Sequence, residues 1–97
     1  MQFEWDDQKN QANKKKHGVS FELATLVFGD PHAVSVPNDC QTEERWLTMG
    51  LVKAVLVIVV AHTVGEDQDH EEIVRIISAR KAKRAEREEY ENQYRKT

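Results

Sequence analysis

Apolar positions are sparse and irregular through the first eighteen residues, dense from Val19 to Phe28, and densest from Ala54 to Ala61. Gln2 to Trp5 reads as a short edge strand. Asp6 offers an N-cap, Asp7 suits a first helical turn, and DDQKNQANKKKH continues as a polar helix with Ala12 its only apolar member. Lys14, Lys15, Lys16 and His17 fill its last turn and Gly18 takes the position after it. Ser20 caps a second, strongly apolar helix, Phe21 to Phe28, which Gly29-Asp30-Pro31 stops. Ala33 to Val36 is a short strand and Pro37 to Thr42 a polar turn. Glu44 to Leu51 alternates, with Arg45, Leu47, Met49 and Leu51 on one side. Ala54 to Ala61 is apolar at every position, the pattern of a central strand covered on both faces. An acidic loop, Val64 to His70, leads to a last strand, Glu72 to Ala79. Ala82 to Lys96 is a charged helix with (i, i+4) pairs Arg84–Glu88, Arg87–Glu91 and Glu91–Arg95 and with Tyr90 and Tyr94 on one face.

The element order is therefore β-α-α-β-β-β-β-α. Short loops join the late strands, so the expected fold is α+β, a mostly antiparallel sheet with two N-terminal helices and one C-terminal helix. Residues 1–97 form a single domain. The eight-residue apolar run from Ala54 to Ala61 is too short to cross a membrane. The acidic start, MQFEWDDQ, carries no apolar core of a signal peptide, and Cys40 is the single cysteine. A reducing, cytoplasmic location is the simplest expectation, with no membrane association.

The formal net charge of −3 argues against a nucleic-acid binder until its distribution is considered. Arg75 to Thr97 holds eight Lys/Arg against four Glu, whereas Pro31 to Val74 holds two Lys/Arg against eight Asp/Glu. Segregation of this kind creates a local basic surface. A hairpin about Val52-Lys53 brings Arg45 and His62 to one end of the sheet, and the next strand carries Arg75 there as well. Arg80 lies five residues further on, roughly 17 Å at ~3.3 Å per residue. Alternation puts Arg75 and Arg80 on opposite faces unless a bulge intervenes.

Arginine is permanently charged and presents a planar fork matched to phosphate oxygens, and histidine exchanges its proton near neutral pH. Together they suffice for metal-free phosphodiester cleavage in RNA. A base takes the ribose 2′-OH proton, cations stabilise the developing charge, and an acid protonates the leaving 5′ oxygen. Plainer readings stand beside this one. Arg75 pairs with Glu71, Glu72 or Glu44 on an edge strand; His62 is a satisfied histidine at a strand end; His17 is a helix C-terminal cation; the last helix is a salt-bridged solvated element. No metal-ligand spacing is present, and no cofactor is expected.

FEWDDQKNQANKKKHGVSFELATLVFGDP, followed by EERWLTMG and RIISARKAKRAEREEYE, resembles the BrnT toxins across essentially the whole chain. The shared pattern is carried in the first half by Phe3, Trp5, Asp6, Lys9, Asn13, Lys16, His17, Gly18, Val19, Phe21, Ala24, Val27, Phe28, Asp30 and Pro31. KHG and ISARxA are its most specific pieces. The resemblance implies a toxin of a type II toxin–antitoxin pair with a RelE-like fold, an endoribonuclease that inhibits translation. It also implies a BrnA-like ribbon-helix-helix antitoxin as partner, with operator DNA bound only through the complex. Lys16, His17, Arg45, Arg75 and Arg80 carry over, with Glu86 and Tyr90 as further members. Combined with the reading of the residues, the expected catalytic set is His62, His17, Arg75 and Arg80, and the expected RNA-binding set is Lys16, Arg45, Glu86 and Tyr90. The rival expectation is a non-catalytic binding module whose basic surface receives an acidic partner segment.

Overall fold

The computed structural model describes residues 1–38 and 44–96, and side chains up to residue 93. Its elements are β1 (Gln2–Glu4), α1 (Asp7–His17), α2 (Phe21–Ala24), a 3-10 helix (Thr25–Gly29), β2 (Val34–Asn38), β3 (Arg45–Val52), β4 (Leu56–Glu66), β5 (Glu72–Lys81) and α3 (Arg84–Lys96). The architecture is α+β, as expected. The sheet is mixed rather than mostly antiparallel, and this corrects the expectation: in the order β1-β5-β4-β3-β2, β1 runs parallel to β5 while the other three pairings are antiparallel. Short loops dictate the antiparallel part. The parallel edge arises because the whole first half of the chain separates β1 from its partner.

Other boundaries also move. The second helix is a single α turn that tightens into a 3-10 helix instead of running to Phe28. The β3–β4 turn falls on Lys53 and Ala54, both at positive φ, so Ala54 leaves the central strand. Val64, Gly65 and Glu66, expected in the acidic loop, extend β4. Pro37, expected to open a turn, belongs to β2. The remainder of that turn up to Thr42, and Cys40 within it, lie outside the described residues, as does the side chain of Tyr94.

The helices cover both faces of the sheet. On one, Val19, Phe21, Ala24 and Val27 pack on Val52, Ile58, Val60, Val74 and Ile76. On the other, Ala82 and Tyr90 meet Val57 and Val59, with Leu47, Met49 and Leu51 partly buried around them. β4 supplies both cores by strict alternation, which is why it reads as apolar throughout.

Two edges are finished by side chains instead of strands. β1 pairs only with Ile73 to Arg75. Beyond it, Asn13 of α1 takes the edge of β5: its Nδ2 donates to Ala79 O at 2.8 Å and its Oδ1 accepts from Ala79 N at 3.2 Å. At the other end of the sheet, β2 stops at Val34 opposite Met49, and Asp30 Oδ2 accepts from Leu51 N at 2.8 Å. The same carboxylate oxygen accepts from Tyr90 Oη, anchoring α3. Burial pushes the Asp30 carboxyl up, but the hydrogen bonds from Leu51, Tyr90 and His32 outweigh it and hold its pKa below the usual value.

Candidate functional site

Position in the sheet sorts the expected site residues into separate groups. The β4–β5 ladder slips between Ala61 and His62: Ala61 pairs with Ser78, His62 with Ile76 and Thr63 with Arg75. Ile77 is therefore an extra residue, a bulge that returns Arg75 to the face occupied by Arg80, the α3 face. Arg45 shares that face with Leu47, Met49 and Leu51 by alternation. It precedes Trp46, which pairs with His62, so Arg45 and Arg75 flank Thr63 on neighbouring strands. Arg80 pairs with Val59, four residues along β4 from Thr63, or roughly 13 Å away.

His62 is not part of this group. It lies on the opposite face, 3% exposed, with its ring edge-on to Phe28 at a centroid distance of 4.9 Å. Its Nε2 stands 2.6 Å from Thr48 Oγ1, which is itself 2.7 Å from Ser35 Oγ. Nδ1 faces the Thr63 carbonyl at 3.3 Å, so Nδ1 donates and Nε2 accepts from the Thr48 hydroxyl. Burial pushes the imidazole pKa below its ordinary value, against smaller raising effects from the Thr63 carbonyl and Glu72. The geometry is that of a neutral, satisfied core histidine, and it corrects the expectation that His62 meets Arg45 and Arg75: they share an end of the sheet but not a face.

The arginines on the α3 face are differently committed. Arg75 approaches Glu4 at 3.5 Å with both side chains about half exposed, a contact of little energetic weight. Arg80 is held firmly: Nη1 and Nη2 donate to the two carboxylate oxygens of Glu86 at 2.7 and 3.0 Å. Glu86 also accepts from Lys83 N at 2.8 Å, closing the first turn of α3 as the third residue of a helix commonly does. The Arg80 guanidinium, helped by the Lys83 N–H and charge, outweighs the opposing effect of burial and holds the Glu86 carboxyl at a pKa of about 2, and Glu86 raises that of Arg80 in turn. Glu86 and Tyr90, expected to touch RNA, thus fix α3 to the sheet. Tyr90 is 3% exposed.

Lys16 and His17 end α1, where exposed backbone carbonyls favour cations. Gly18, at φ 72, closes the helix with its N–H on Lys14 O. Asn13 fixes where this turn lies. Besides gripping Ala79, its Nδ2 donates to Val19 O at 2.9 Å, so the chain just past the KHG turn is tied to the same point as the ISAR segment of β5. Lys16 and His17 follow Asn13 within about one 5.4 Å turn, and Arg80 and Lys81 follow Ala79. Lys14, Lys15, Lys16, Lys81 and Lys83 are exposed. The two motifs, 61 residues apart in sequence, are thereby tied to one edge of the sheet. Asn13 is the residue sequence reasoning left without a role. Its signal was a short amide within an almost wholly polar helix, and only the free edge of β5 gives it meaning. Thr48, the partner of His62, and Ser35 behind it gave no signal at all.

Comparison with known proteins bears on the fold and the family. The crystal structure of the Brucella abortus ribonuclease toxin BrnT, at 1.1 Å resolution, superposes with a TM-score of 0.65 and 26% sequence identity, over 87% of this chain and 99% of that one. None of the curated proteins matches. The family model described as "Ribonuclease toxin, BrnT, of type II toxin-antitoxin system" matches residues 5–86, and the chain belongs to that family.

Proposed function

We propose that this chain is the RNA-cleaving toxin of its pair, a metal-independent endoribonuclease that inhibits translation, and that it grips RNA along the edge where α1 meets β5. One observation carries the site: Asn13 binds both Ala79 and Val19 and so joins the KHG and ISAR motifs. In this reading Lys16 and Lys81 hold the phosphodiester. His17 exchanges the proton, since it follows Lys16 in the chain and is only half-buried, whereas His62 is enclosed. Arg80, positioned by Glu86, offers its remaining N–H groups to the developing charge. Arg45 and Arg75 form a second cationic row on the α3 face and guide the flanking backbone. A BrnA-like ribbon-helix-helix antitoxin is the partner, operator DNA is met only through that complex, and the setting is cytoplasmic, with a RelE-like mode of action.

One observation favours the rival binding module. Arg75 and Arg80 both already face carboxylates of their own chain. End-labelled single-stranded RNA incubated with the purified chain in excess chelator separates the two. Cleavage that falls by about 100-fold in His17→Ala, the usual scale for a proton-transfer group, supports the enzyme. RNA that stays intact with the unaltered chain supports the module.

A further inference from the structure

The α3 face of the sheet is only half covered. α3 rests toward Val57 and Val59. Beside it a groove runs between the helix and the outer strands, lined by Val34, Val36, Leu47, Met49, Val59, Glu86 and Glu89. Val36 is 46% exposed, an unusual state for a strand valine facing the same way as a core. β2 is also the edge of the sheet, so no strand among the described residues continues the layer. The floor of the groove is entirely aliphatic or thioether. Its wall is acidic. Glu86 and Glu89 stand three apart on α3 and so share one flank of the helix. Glu86 is occupied by Arg80, whereas Glu89 is exposed and has no ion-pair partner among the described residues.

From this geometry we infer that the groove is a docking surface for an amphipathic helix of a second polypeptide, with apolar side chains on the Val36–Met49 floor and a Lys or Arg against Glu89. Such a helix lies beside α3 at ordinary helix spacing of ~8–10 Å and completes the second layer over β2 and β3. The chemistry selects a basic partner over an acidic one, because a carboxylate set beside Glu89 is repelled in a partly desolvated groove, whereas Glu86 is already neutralised by Arg80. A toxin of this family is expected to bind an antitoxin, and the inference rests on that expectation for its occupant but not on RNA cleavage. The groove meets Arg80 only through Glu86, which already neutralises it, so the acidic segment expected to cover the arginines is not what this groove takes.

The test uses the intact chain and, as probe, its purified antitoxin, measured by titration calorimetry. Val36→Asp and Glu89→Lys are each expected to weaken binding at least tenfold, and Gln68→Ala, in the acidic loop, leaves it unchanged. Val36 is exposed enough for its variant to keep its fold, and matching circular dichroism confirms this. Exchanging a partner Lys or Arg for Glu restores affinity to the Glu89→Lys variant alone. Binding within twofold of the unaltered chain for both variants overturns the inference. So does a chain that self-associates through the groove, shown by a dimer that Val36→Asp dissociates. Cleavage of labelled RNA is read in parallel and is expected to be unaffected by either variant, so that failure here is distinct from failure of the ribonuclease reading.

Discussion

Replacing Asn13 by Ala removes the clamp that joins α1 to β5, and its cost can be worked from the contacts. Three hydrogen bonds are lost, at 2.8, 2.9 and 3.2 Å, and Asn13 is 7% exposed. Each leaves a backbone group of Ala79 or Val19 without its partner. At about 1 kcal/mol net per bond the loss is about 3 kcal/mol. A domain of this size is stable by about 5–15 kcal/mol and its melting temperature moves by about 4–8 °C per kcal/mol. Asn13→Ala is therefore expected to melt more than about 10 °C lower, with the Ala79 amide the first of the strand amides to lose hydrogen-exchange protection. Asn13→Asp is the sharper probe. It keeps the size and the acceptor for Ala79 N, but turns an oxygen toward the Ala79 and Val19 carbonyls. It should be no more stable than the Ala variant at pH 7. Melting within about 2 °C of the unaltered chain for Asn13→Ala, or recovery in Asn13→Asp, refutes the clamp.

Acid should act through two groups in separate windows. Glu86 has a folded pKa of about 2 against an ordinary value of 4.5, so the stability it contributes is present above about 4.5 and lost as pH falls toward about 2. Discounted for its partial exposure this is about 1–2 kcal/mol, and Glu86→Gln should flatten the chemical-denaturation midpoint across that range. His62 is depressed, so the unfolded chain takes up its proton first and stability declines as pH falls below about 6.5. His62→Gln should remove that decline and leave RNA cleavage within a few-fold of the unaltered chain; a collapse of cleavage in a folded His62→Gln protein counts against the assignment of His17. Ala54 sits at φ 60 in the β3–β4 turn, and Ala54→Gly should raise stability by about 1 kcal/mol in urea titrations.

Much of the fold was legible because the apolar pattern is unambiguous where burial is deep. The run Ala54 to Ala61 announced a strand covered on both sides, and Val57 with Val59 and Ile58 with Val60 do serve two cores. Asp6, Ser20 and Gly18 announced their caps, and each cap is made. What failed depended on contacts distant in sequence. Nothing local says that Gln2–Glu4 adds to β5 in parallel. The position of His62 follows from the alternation of β4, which the sequence shows, but the face of Arg75 depends on the bulge at Ile77, which it does not. The Gly50 position carries the same lesson: a Cβ there would come within 3.0 Å of Val27, a constraint set by a segment 23 residues earlier.

The site was partly legible for the same reason. Lys16, His17 and Arg80 are singled out by their motifs, yet what ties their two segments together is Asn13, whose amide matches an edge that no local pattern reveals. Glu86 and Tyr90 sit in the pattern because they hold α3, Glu86 through Arg80 and Tyr90 through Asp30. A motif records that residues are needed, and the structure separates those that face solvent from those that hold the frame.

The most direct measurement is an amide chemical-shift map of the chain titrated with a short RNA whose ribose 2′-hydroxyls are replaced by hydrogen, which binds and is not cut. Shifts concentrated at Lys16, His17, Gly18, Arg80 and Lys81, fading as salt rises, are what the cationic edge predicts. Shifts confined to the surroundings of His62, or spread evenly with no response at Lys16 and Lys81, contradict it.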